Sequence, residues 1–124
     1  MAHYDLEKIK ELVRAGNVRF EYANTTFKVC ERLYAEQVHE GEVPPEIEAQ
    51  ATELMCSVIA ALDAQGFERT FPAVKKAPPM DAYGVKDGSG RTWYVKFRAG
   101  EGVRVVSFHR PEYDIKTVGG VLAR

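Results

Sequence analysis

The chain has 124 residues, of which 45% are apolar, 28% charged and 10% aromatic, with 17 Lys and Arg against 18 Asp and Glu. This is the composition of one soluble globular domain over residues 1–124, because single domains run to about 100–150 residues and bury about two thirds of their unfolded surface. It excludes a disordered chain, a collagen-like repeat and a disulfide scaffold. The net charge of −1 taken alone argues against a nucleic-acid partner. Its distribution argues otherwise: residues 1–64 carry 6 basic and 12 acidic side chains, and residues 65–110 carry 9 and 4. Affinity for a polyanion would be confined to one face and would weaken steeply with salt.

The N-terminal half reads as helices. Asp5 is placed to cap the first, with Tyr4 and Ile9 as a hydrophobic staple, a face of Leu6, Ile9, Leu12 and Val13, and Gly16 as the stop. Val18 to Phe20 reads as a short extended link. A second helix runs from Thr26 to about Gln37, capped by Thr25 or Thr26, with Phe27, Cys30, Leu33 and Tyr34 on one stripe. After a loop over residues 38–45, Ile47, Ala51, Leu54, Met55, Val58, Ile59 and Leu62 keep the helical period for over four turns, and Gly66 is the natural stop. Cys30 and Cys56 fall on different helices with no Cys-x-x-Cys, which predicts reduced, buried thiols and no metal site. No segment has the pattern of a signal peptide or the length of a membrane span, so a cytoplasmic protein is expected.

Beyond Gly66 the period becomes two. Residues 80–86, 91–98 and 103–110 read as strands joined by turn-rich segments at 87–90 and 99–102, with a further extended piece at 68–71. The expected fold is α+β, with N-terminal helices packed on one face of a C-terminal antiparallel β-sheet and the other face open. Residues 111–124 are expected to be flexible or to dock on a sheet edge through Ile115 to Val118.

Alternation along the central strand puts Arg91, Trp93, Val95, Phe97 and Ala99 on one face and Thr92, Tyr94, Lys96 and Arg98 on the other. In the next strand Val106 and Phe108 alternate with Val105, Ser107 and His109. If Val106 and Phe108 face the helices, His109 shares the open face with Tyr94 and Lys96. A histidine, a phenol and several cations on one face form a set able to cleave RNA without a metal. Such cleavage needs a proton acceptor for the ribose 2′-hydroxyl, a donor for the leaving 5′-oxygen, and positive charge against the phosphorane. His109 can serve as acid or base, Lys96, Arg98 and Arg69 supply charge, and Tyr94 can donate a hydrogen bond or stack on a base. The competing reading is a solvated outer sheet face with no chemistry. His3 and His39 read as ordinary surface residues, and no motif for a nucleotide, a cofactor or zinc hydrolysis is present.

In order and spacing, several segments together resemble the MqsR family of bacterial toxins. They are Tyr4-Asp5-Leu6, the run from Ile9 to Arg19, Ile59 to Leu62, Gly66-Phe67-Glu68-Arg69-Thr70, Asp81-Ala82-Tyr83, Trp93 to Phe97 and Val105 to His109. The resemblance spans residues 4–109 and implies a RelE-like fold, the toxin role in a type II toxin–antitoxin system, and metal-independent cleavage of mRNA without a cofactor. It implies catalytic roles for His109, Tyr94, Arg69 and Lys96, with Arg69 and His109 standing where the family has lysines; RNA contacts are expected at Arg98, Thr92, Arg91 and Met80. Met80 stands where the family has a glutamine. A cognate antitoxin, with a DNA-binding domain and an N-terminal zinc-binding segment, is the partner implied beside mRNA. The alternative is a catalytically impaired RelE-like domain that binds RNA or protein.

Overall fold

The computed structural model describes residues 1–124. Helix α1 spans Leu6–Arg14; Asp5 accepts a hydrogen bond from the Glu7 amide, and Ile9 and Val13 are its buried face. Gly16, at φ +79°, takes the left-handed conformation that ends the helix. Helix α2, Thr26–Leu33, is shorter than the sequence stripe suggested, because the chain tightens into a 3-10 turn at Ala35–Gln37. Thr25 occupies its cap position, yet its hydroxyl donates back to the Glu21 carbonyl. Helix α3, Pro45–Ala60, starts on a proline at its first position, where no amide hydrogen is missed, and buries Ile47, Ala51, Met55, Val58 and Ile59. Leu62 lies past its end but is fully buried.

Gly66 does not stop that helix. It sits where the chain enters β2, Phe67–Phe71, and a Cβ there would collide with the Gly84 carbonyl of β3, Met80–Lys86. Strands β4, Thr92–Ala99, and β5, Val103–His109, follow through short turns. The link at Val18–Phe20 is a strand, β1, pairing parallel with β5 from Val18↔Val103 to Phe20↔Val105. The sheet order is therefore β1-β5-β4-β3-β2. The fold is α+β as expected, but its sheet is mixed rather than antiparallel, since β1 returns from the helical half to cover part of the β5 edge.

The helices cover one sheet face. Trp93, Tyr83, Phe97 and Phe108 are the largest fully buried side chains, packed with Met55, Ile59, Leu62 and Val29 in one core of 18 residues. Cys30 is buried among them and Cys56 is half-buried; both are free thiols. Two carboxylates organise this side. Asp81, fully buried, accepts from the His3 and Tyr4 amides and the Thr70 hydroxyl, fastening the N-terminal segment to β3. Asp87, in the β3–β4 turn, accepts from the Trp93 indole at 2.8 Å and from the Ser89 and Arg91 amides.

The tail is neither frayed nor a simple edge strand. Residues Ile115–Thr117 (β6) and Gly120–Leu122 (β7) form a two-stranded hairpin of their own. Its Val118 and Gly119 amides donate to the Phe67 and Gln65 carbonyls, tying it to the start of β2. Buried Ile115 and half-buried Leu122 lie over Gly84 on the face opposite the helices. That face is thus open only over part of its area.

Burial pushes the Asp87 carboxyl up, but hydrogen bonds from Trp93, Arg91 and Ser89 outweigh it and hold it below the usual carboxylate range. A depressed folded-state value stabilises above the unfolded one and loses that contribution as the pH falls through the folded value. Asp87→Asn is therefore expected to lower stability at pH 7 by about 1.5–3 kcal/mol, the usual contribution of hydrogen bonds to a charged group. Urea unfolding should show the gap between wild type and variant narrowing once the pH falls below about 4.

Candidate functional site

Two single-residue bulges bring the site together. Across β2 and β3 the register passes from Phe67↔Tyr83 directly to Arg69↔Ala82, so Glu68 is an extra residue. Strict alternation would send Glu68 and Arg69 to opposite faces; with the bulge, both line the same cleft on the face away from the helices. Across β4 and β5 the register passes from Lys96↔Ser107 to Phe97↔Val105, leaving Val106 extra. Val103, Val105 and Phe108 then all face the core. The expectation that Val106 would pack with Phe108 while Val105 pointed outward is corrected: Val105 is fully buried and Val106 only half-buried.

His109 nevertheless shares the outer face with Tyr94, because the two are register partners on the same side of the bulge, with ring centroids 5.4 Å apart. Glu68, Arg69, Tyr94 and His109 line a cleft of about 580 Å³ whose other wall is residues 111–116. The Arg69 Nε lies 2.7 Å from a Glu68 carboxylate oxygen. Its guanidinium also lies 4.5 Å from the centre of the Phe71 ring, against which Lys96 packs at 4.7 Å. The Glu68–Arg69 pair engages Nε and leaves the terminal fork of the guanidinium for a ligand. The Arg69 side chain is 65% exposed and that of Glu68 17%.

The His109 Nδ1 lies 3.0 Å from the Arg110 carbonyl, which can only accept. Nδ1 therefore carries a hydrogen, and in the neutral ring Nε2 holds the free lone pair. The Tyr94 phenol is pushed up to about 12, chiefly by burial and then by the Glu68 carboxylate, with Arg69 acting in the opposite direction. It is a neutral donor at physiological pH and no base.

No protein-family model and no curated protein matches the chain.

Of the residues singled out in the sequence, His109, Tyr94 and Arg69 meet in the cleft, and Lys96 borders it across Phe71. Arg98 and Met80 share the outer face farther along, with the Arg98 guanidinium 3.4 Å from the Met80 sulfur. Two expected RNA contacts are corrected. Thr92 is 1% exposed, its hydroxyl donating to the Ala123 carbonyl beneath the tail hairpin. Arg91 has the parity of Trp93, points to the helix side and pairs with Asp87 at 3.2 Å. Glu68 is the residue that the sequence reading passed over. Its adjacency to Arg69 was visible, but the bulge that turns the two to one face was not. No three His, Cys, Asp or Glu side chains lie together as a metal-holding group.

The buried phenol gives a direct check on this geometry. Spectrophotometric titration is expected to show one fewer tyrosinate in Tyr94→Phe than in wild type only above about pH 11, with superimposable curves below it. A difference near pH 10 would mean that Tyr94 is solvated and the cleft open.

Proposed function

We propose that the protein is a metal-independent endoribonuclease that cleaves single-stranded RNA in the cleft between β2, β4, β5 and the tail hairpin, as the toxin of a toxin–antitoxin pair. The observation that carries the reading is the meeting of Glu68, Arg69, Tyr94 and His109, from three strands, in one cleft beside Lys96. The Glu68 carboxylate takes the proton of the 2′-hydroxyl, and the 2′-oxygen attacks the adjacent phosphorus. The 5′-oxygen leaves with the proton from the imidazolium Nε2 of His109. The products are a 2′,3′-cyclic phosphate and a free 5′-hydroxyl, and both groups return to their starting states by proton exchange with water.

Charge on the phosphorane is met by the free fork of Arg69 and by the Tyr94 hydroxyl, while Lys96 and Arg98 hold neighbouring phosphates. Tyr113, 78% exposed at the cleft mouth, is a stacking platform for a base. Dependence on the 2′-hydroxyl confines the reaction to RNA. The run of motifs over residues 4–109 that resembles the MqsR family supports the same reading, together with a RelE-like arrangement of the sheet and a cytoplasmic antitoxin as inhibitor. Met80 in the place of the family glutamine offers a sulfur already engaged by Arg98, so recognition of a base at that position is not carried over.

The test is cleavage of an oligoribonucleotide in EDTA with analysis of the product ends. Cyclic phosphate termini are expected, and Glu68→Gln and His109→Ala are each expected to lower kcat by about 10²–10⁴-fold. Binding without any cleavage would overturn the enzymatic reading and leave a binding module. Undiminished cleavage in both variants would place the chemistry elsewhere.

A further inference from the structure

His109 lines a second cleft as well. On the opposite side from Tyr94 lies a polar hollow of about 380 Å³ between α2 and the end of β5, with no hydrophobic residue in its lining. It exists because β1 stops early: the parallel ladder ends at Phe20↔Val105, so the edge of β5 away from β4 has no strand neighbour beside Ser107 and His109. Helix α2 stands over this gap. Its exposed Lys28 and Arg32, one turn apart, face the hollow together with Arg110, and Asn24 and Ser107 add polar groups.

Two carboxylates, Glu31 and Glu112, also line the hollow. Neither forms an ion pair with Lys28, Arg32 or Arg110; the four ion pairs of the molecule are all elsewhere. The Arg110 Nε is buried without a hydrogen-bond partner, and its guanidinium lies 5.9 Å from the centre of the Trp93 ring. Three cations with no anionic partner therefore converge where the otherwise acidic helical half meets the end of β5. An entirely polar lining suits a phosphodiester and gives an apolar peptide side chain nothing to pack against.

We propose that this hollow is a phosphate subsite for single-stranded nucleic acid. The strand lies across His109, with the scissile phosphate in the first cleft and a phosphate of the neighbouring nucleotides between Lys28, Arg32 and Arg110. The inference rests on the ribonuclease reading for its placement of the scissile bond. The subsite itself depends only on phosphate. It makes the preferred substrate an oligonucleotide extending beyond the cleaved dinucleotide, because a dinucleoside monophosphate has no second phosphate to occupy it.

The test uses Lys28→Ala/Arg32→Ala, whose side chains lie on an exposed helix surface and outside the proposed catalytic set, with the charge-retaining Lys28→Arg/Arg32→Lys as control. Binding of an uncleavable single-stranded oligodeoxynucleotide is followed by fluorescence anisotropy over a salt series. Each phosphate contact contributes about 0.7 to the slope of log K against log salt for single strands. The alanine variant is expected to lose about 0.7 of that slope and the control to retain it. For an oligoribonucleotide the alanine variant should raise KM about tenfold with kcat kept, while kcat/KM for a dinucleoside monophosphate is unchanged. An unchanged slope and KM overturn the subsite, even with cleavage intact. A site-dependent slope in a protein that cleaves no RNA supports the subsite and overturns the ribonuclease reading.

Discussion

Alternation of side chains across a pleated sheet is the constraint on which the outer face depends, and it is broken at two residues. With an unbroken ladder, Val105 could not be buried on the same side as Phe108, and Glu68 could not share a face with Arg69. The extra residue at Val106 lets β5 keep Val103, Val105 and Phe108 in the core and still deliver His109 beside Tyr94. The extra residue at Glu68 does the same for a carboxylate and a guanidinium at the edge strand. Bulges cost ladder hydrogen bonds and increase local twist, and they recur beside functional sites because they re-aim side chains that parity would fix. Here both occur in strands that line the cleft.

The opposite face explains why such irregularity is tolerated. Tyr83 stacks on Phe97 with ring planes 8° apart, Phe67 meets Tyr83 edge-on and Phe108 packs on Trp93, so the aromatic core spans all four strands from β2 to β5. Asp81 and Asp87 fasten the N-terminal segment and the β3–β4 turn around it. A core held at so many points can absorb two interruptions in hydrogen-bond register.

How far the sequence could be read follows from which interactions are local. The Asp5 cap, the helical period from Ile47 to Ile59 and the alternation from Trp93 to Phe97 depend on neighbours within a turn or a strand, and each is found where the pattern places it. So is the placing of His109 on the outer face, set by its alternation with Phe108. What escaped reading depends on distant partners. Val18–Phe20 is a strand only because Val103–Val105 lies beside it, Gly66 is required by the carbonyl of Gly84, and Thr92 is sealed by Ala123. Both bulges belong to this group, since a single strand's sequence does not say where its partner will skip a residue. The Arg91 assignment failed for a simpler reason: its own parity already placed it with Trp93.

The tail hairpin gives the cleft its outer wall, and that has a consequence for the order of synthesis. A ribosome that has polymerised only as far as Arg110 has made Glu68, Arg69, Tyr94 and His109, together with every strand that carries them. It has not made Pro111 to Lys116, against which those side chains face. Until residues 111–122 fold back over Gly84, the outer sheet face is bare and the cleft lacks that wall. The cleft thus belongs to the sheet and the tail hairpin together, and neither makes it alone.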